Sequence, residues 1–143
     1  MKPEVDQILG LSAGQLIGTI APQLPTVFAQ GSASLLGFMM MFAAQEYDRA
    51  ADIRVAENGD LRALFREAAP VVVDNDLRVA LSRAAETRDD SLKVSMLDTA
   101  NVELRRVLIR LQVHAEDNAM RTLERRIWDV LKASAERRLL RLA

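Results

Sequence analysis

Residues 7–45 read QILGLSAGQLIGTIAPQLPTVFAQGSASLLGFMMMFAAQ, a run without a single Asp, Glu, Lys, Arg or His. Pro22-Gln23-Leu24-Pro25 divides it into two apolar arms. Proline disfavours helical geometry in the residue before it, so the first arm is expected to leave its helix near Ala21. Within that arm Pro3 suits a first helical turn and Gly10 weakens it. Ser12 and Gln15 have the spacing of a capping box that restarts a helix. The second arm opens a long central helix predicted from about residue 26 to 57, with Asn58-Gly59 as its stop.

Two readings of this segment compete. A membrane hairpin is favoured by Gly10, Gly14 and Gly18, which recur every four residues and form a smooth stripe on a helix. Gln15, Gln23, Gln30, Ser32 and Ser34, the two prolines, and Gly37 splitting the longest apolar run argue against it. The expectation is therefore no membrane span. Instead the segment is read as a core helix, or as a face covered by a second subunit. Leu35, Phe38, Met39, Met40 and Phe42, with the three glycines, are the candidate interface or pocket residues.

Downstream the pattern is helical throughout. Asp60 is expected to cap a short helix ending at Pro70, and Val71–Val73 read as a linker, since three such residues find no partner strand. Asp74, Asn75 and Asp76 offer caps for a helix to about Thr87. From Asp90 or Ser91 a helix is expected with Leu97, Ala100, Leu104, Val107, Leu111 and His114 along one stripe. Met120, Leu123, Ile127, Val130 and Ser134 form another, out of phase with the first, so a break is predicted near Asp117-Asn118.

Composition agrees. The chain has 143 residues, 50% hydrophobic and 27% charged, rich in Ala, Leu, Arg and Glu, the strong helix formers. The expected fold is all-α: one domain over residues 1–143, a helical bundle of five or six helices. A compact domain of this size is only about 37 Å across, whereas a helix over 26–57 runs about 48 Å. Either it kinks at Gly31 or Gly37, or one end projects onto another chain. A homo-oligomer is thus expected, a two-fold dimer being the commonest form, with a protein partner as a further possibility.

Several function classes are disfavoured. There is no cysteine, which removes disulfides, thiolate zinc sites and thiol nucleophiles. A carboxylate-bridged di-iron bundle needs two Glu-x-x-His pairs, and this chain has one histidine, His114, with Leu111 three residues before it. No phosphate-binding loop, dinucleotide fingerprint or nucleophile elbow occurs. No cofactor or metal is expected. Net charge is −1, which leaves no overall field to recruit nucleic acid. Arg121 with Glu124, Arg125 with Asp129 and Lys132 with Glu136 read as local pairs on a solvated face. The start of the chain lacks the basic run of a secretory signal, and a cytoplasmic address is expected.

The best polar cluster is Glu46-Tyr47-Asp48-Arg49 with Asp52, Arg54 and Glu57; Glu46, Asp48 and Asp52 are its candidate functional acids, to which His114 is added as the one imidazole. Paired carboxylates can do acid–base work, but charges resuming where an apolar helix meets water explain them as well. The leading expectation is a non-catalytic helical protein acting through self-association or protein–protein contact. An apolar-ligand carrier, with Phe28, Phe38, Phe42 and Met39–Met41 around a pocket, is the alternative. An enzyme of unidentified reaction comes third.

Overall fold

The computed structural model describes residues 4–140, and among them all regular structure is helical. Five α-helices follow one another: α1 (Val5–Gln15), α2 (Val27–Ala68), α3 (Asn75–Glu86), α4 (Val94–Asp117) and α5 (Arg121–Arg137). The all-α expectation therefore holds. The described chain divides into two compact units, one of residues up to Ala50 with Leu140, the other Ala51–Leu139. Helix α2 contributes to both.

The first unit is a helical hairpin. Helix α1 continues without interruption into a wider π-type turn over Leu16–Ile20, closed by Ala21 N–H on Leu16 O. A 3₁₀ turn, Ala21–Gln23, then carries Pro22 in its first turn, where a missing N–H costs nothing. The first arm thus ends two residues beyond Ala21. Ser12 does not restart a helix. A cap at Ser12 needs extended backbone, which would break a helix already propagating on both sides. Leu24 is extended, and Thr26 Oγ1 accepts from Ala29 N–H at 3.1 Å to open α2.

The arms meet through small side chains. Ala13, Ala21, Ala33 and Gly37 are buried, while the larger residues around them are not. A Cβ placed on Gly37 would run into Ile17 Cγ1, with Ile17 Cδ1 at 2.9 Å and Ala13 O at 3.2 Å. Glycine is required here because the two backbones approach closely. Near the turn, Gln30 reaches back to Leu24; farther from it, Gly37 meets Ala13 and Ile17. The contacts step outward along both arms together, so the arms are antiparallel.

The second unit is a conventional bundle. Leu61, Leu64, Phe65 and Ala68 of α2 pack in one cluster with Leu77 and Leu81 of α3, Leu104, Leu108 and Leu111 of α4, and Leu123, Ile127 and Val130 of α5. Asp74 caps α3, accepting from Leu77 N–H at 2.8 Å. Helix α4 starts at Val94 rather than at Asp90 or Ser91. Ser91 Oγ accepts from Lys93 N–H in the preceding loop instead of capping a helix there.

The predicted stop at Asn58-Gly59 is not used, and α2 runs on to Ala68. Gly59 keeps a negative φ, and the Asn58 side chain is fully buried in tertiary hydrogen bonds rather than folded over a helix end. The apolar face of residues 61–68 then makes continuation favourable. Pro70 does end the regular helix, in a 3₁₀ turn over Ala69–Val71 with Val72 extended. The predicted break after Asp117 is present: Met120 N–H bonds Ala115 O at 2.8 Å across the turn. Ala119 there has φ 51, in the left-handed region.

Two stability outcomes follow. Ala119→Gly removes the left-handed penalty and should raise stability by up to about 1 kcal/mol, read as a higher thermal midpoint. Gly37→Ala should loosen the hairpin by about 1–3 kcal/mol through overpacking, with Ile17→Ala relieving part of that cost. Amide exchange along residues 13–37 measures both effects; independent, additive costs at 17 and 37 would contradict the close crossing.

Candidate functional site

The two units organise polarity in opposite ways. In the hairpin, large apolar side chains lie outside: Leu11 is 78% exposed, Phe28 85% and Leu35 61%. Phe38 and Met39 are exposed as well, and Met40 and Phe42 are half-buried. At Gly10, Gly14 and Gly18 an added Cβ would meet nothing within 4 Å, so the glycine stripe faces open space. Every one of the candidate interface residues therefore lies on an outer or half-covered face of the first unit.

The acidic candidates are distributed over both units. Glu46 (half-buried) and Asp48 (exposed) belong to the first, Asp52 (exposed) and His114 (half-buried) to the second. Among the described residues no group of three or more His, Asp or Glu is placed to hold a metal ion. His114 ends α4 beside Asn118, whose amide donates to its backbone carbonyl at 2.8 Å and lies 3.4 Å from its Nδ1. On the α5 surface Arg121 pairs with Glu124 and Lys132 with Glu136, at the spacing read from the sequence.

A different polar constellation is buried inside the second unit. Glu57, only 2% exposed, receives both nitrogens of the Arg138 fork at 2.7 Å and the Ser134 hydroxyl at 2.7 Å. Arg105 lies 3.8 Å from its other oxygen. Arg105 also donates to Asn101 Oδ1 at 2.7 Å, and Asn101 donates to Asn58 at 2.9 Å. Asn58 in turn donates to Leu97 O and to Asp89. Asp89 is gripped by the Arg62 fork at 2.6 and 3.0 Å. The result is one continuous hydrogen-bonded seam from Arg62 to Arg138 that joins α2, α4, α5 and the α3–α4 loop.

Each carboxylate in this seam is met by arginine. Burial pushes the Glu57 carboxyl up, but the hydrogen bonds from Arg138 and Ser134 and the charges of Arg138 and Arg105 outweigh it, so it stays below its ordinary 4.5. The Arg62 hydrogen bonds hold Asp89 below its ordinary 3.8 against the opposing effect of burial, and Asn58 adds to them. The cavity beside Glu57 and Ser134 is only about 10 Å³, room for no more than one water. An acid that accepts three hydrogen bonds and faces two guanidinium groups, with no space for a reactant beside it, positions helices rather than protons.

Sequence reading placed Glu57 among charges emerging into water, Asn58 at a helix stop and Ser134 in an apolar stripe. The last of these carried the usable signal, because a polar residue at a core position needs a partner. Asn101, one helical turn from both Leu97 and Leu104, carried the same signal.

Protein-family models, curated proteins and solved structures were all compared with this chain, and none matches it.

Glu57→Ala should cost about 2–4 kcal/mol, since it strips a buried carboxylate from charged donors. The pH dependence has a definite sign. With its folded value below the unfolded 4.5, Glu57 contributes stability that is complete above about pH 4.5 and is lost as pH falls through the folded value. Glu57→Gln should flatten that acid limb in denaturant titrations between pH 3 and 6. An unchanged limb would remove Glu57 as its source.

Proposed function

We propose that the protein is a non-catalytic helical protein that acts by association, through the apolar outer face of its hairpin unit. The observation that supports this is the exposure of Leu11, Phe28 and Leu35 together with Phe38 and Met39 on a segment that has no charge for 39 residues. Soluble proteins seldom leave large contiguous apolar patches uncovered, because each Å² left in water forgoes about 25 cal/mol. Such a face is a surface waiting for an apolar counterpart.

The competing readings have less support. A carrier of apolar ligands would gather Phe28, Phe38 and Met39 around a cavity, but all three are exposed. Two open depressions of about 640 and 580 Å³ lie on the second unit and include none of them. Acid–base chemistry would need an accessible carboxylate with room beside it, and the buried Glu57 has neither.

In lipid-free and detergent-free buffer the hairpin faces should find each other. Native mass spectrometry is expected to give multiples of the 15.9 kDa chain, and Phe38→Asp should raise the dissociation constant at least about ten-fold. A chain that stays at the 15.9 kDa monomer mass at tens of micromolar, with or without the substitution and with or without lipid, would sink the association reading.

A further inference from the structure

We infer that the counterpart of the hairpin is a lipid bilayer, into which residues 7–45 insert from one side with the Pro22–Thr26 turn leading. The inference rests on the association reading above and names its partner. It also reverses the expectation drawn from sequence, in which the glutamines, serines and prolines counted against lipid.

The packing inside the hairpin is the first argument. Two helices that associate in water bury their large apolar side chains and expose polar ones. Here only Ala13, Ala21, Ala33 and Gly37 of residues 7–45 are buried; Leu16, Ile17 and Phe42 are half-covered, and Leu11, Phe28, Leu35 and Met39 face out. That is how helices pack in lipid, where tails solvate large side chains as well as a neighbour would and close backbone approach supplies the attraction. Only 11% of the most apolar 18-residue window of α2 is buried, so this is not a core helix.

The angular spread of apolar residues separates lipid from a second copy. At 100° per residue, Val27, Phe38, Leu35, Phe28, Met39 and Leu36 follow one another around about 180° of α2, and all six are exposed. A two-fold partner touches one arc of a helix. A hydrocarbon layer surrounds all of it.

Length and polarity agree. Gln7–Gln23 and Val27–Gln45 are 17 and 19 residues, about 26 and 28 Å at 1.5 Å per residue, against a hydrocarbon layer about 30 Å thick. Because the arms are antiparallel, all nearby charge is gathered at one end, with Glu4 and Asp6 before the first arm and Glu46, Asp48 and Arg49 after the second. Tyr47 is exposed at that end, where aromatic residues with a polar tip favour the headgroup level. The turn at the opposite end has none.

The turn also supplies internal partners for part of its own backbone, as lipid requires. Leu24 N–H bonds Ala21 O at 3.1 Å, the Gln30 amide donates to Leu24 O at 2.9 Å, and Thr26 Oγ1 takes Ala29 N–H. Pro22 and Pro25 have no N–H to satisfy. Gln30 is thus part of the turn rather than an obstacle to insertion. Gln15 and Gln23 are the main remaining cost, exposed amides midway along the first arm and in the turn, with the exposed hydroxyls of Thr19 and Ser32 adding less.

The test uses the full chain and neutral phosphatidylcholine vesicles in high salt, which silences the basic residues of the second unit. The chain has no cysteine, so Leu35→Cys carries a single environment-sensitive fluorophore, and Trp128, the only tryptophan, reports from the second unit. Expected are co-flotation with the vesicles, quenching of the label at 35 by lipids brominated deep in their chains, and no such quenching of Trp128. Leu35→Asp should lower the partition coefficient roughly 100-fold while the thermal transition of the second unit stays unchanged, which separates lost insertion from lost folding. Flotation without quenching at 35 would overturn the inference. A discrete soluble oligomer that ignores vesicles would overturn it and leave the association reading standing. A lipid-indifferent monomer would overturn both.

Discussion

Taking a carboxylate out of water costs several kcal/mol unless charge and hydrogen bonds replace its hydration. Glu57 meets that condition only when α2 and α5 are in one register, with Ser134 and Arg138 brought to the same carboxylate. Asn58 and Asn101 impose the same condition on α2 against α4, since a slip of one turn would strand two buried amides. Apolar contacts among Leu, Ile and Val are tolerant of small shifts. The seam is not, and its directional bonds select one arrangement among the many that a Leu-rich interface would accept. That role, specificity more than net stability, is what buried polar groups do best.

The seam also accounts for the continuity of α2. Asn58-Gly59 would end most helices, and here the amide that could have capped the end is instead bonded to Leu97 O, Asp89 and Asn101. Once Asn58 is held by α4, leaving the helix at Gly59 would pull the following apolar residues, Leu61, Leu64 and Phe65, away from the core they fill. Tertiary bonds therefore override a local stop signal whose strength is only about 1 kcal/mol.

This is also where sequence reading reached its limit. The helices of the second unit were legible because their apolar residues repeat at 3.6, and the break after Asp117 was legible because that repeat changes phase. Asp74 was legible as a cap because capping is local, requiring only the next three residues. The seam was not, because Glu57 and Ser134 are 77 positions apart and neither is unusual in its own neighbourhood. The candidate interface fared differently. Its residues could be listed from the absence of charge alone, but whether they face inward or outward depends on which side of each helix carries the small residues. Gly10, Gly14 and Gly18 looked like the contact stripe and face open space, while the contact runs through Ala13, Ala33 and Gly37.

Helix α2 carries both rules of packing along a single rod of hydrogen bonds. Up to Gln45 it has no charge, buries alanine and glycine, and turns phenylalanine and methionine outward. Beyond Ala51 it buries Ile53, Leu61, Leu64 and Phe65 and turns its charges to water or into the seam. A helix surrounded by one solvent has no reason to invert its pattern midway, because the burial free energy of a given side chain is the same along its length. The inversion falls at Glu46–Arg49, the point where charge resumes. That is the position at which the lipid insertion inferred above would bring the helix out of hydrocarbon and into water.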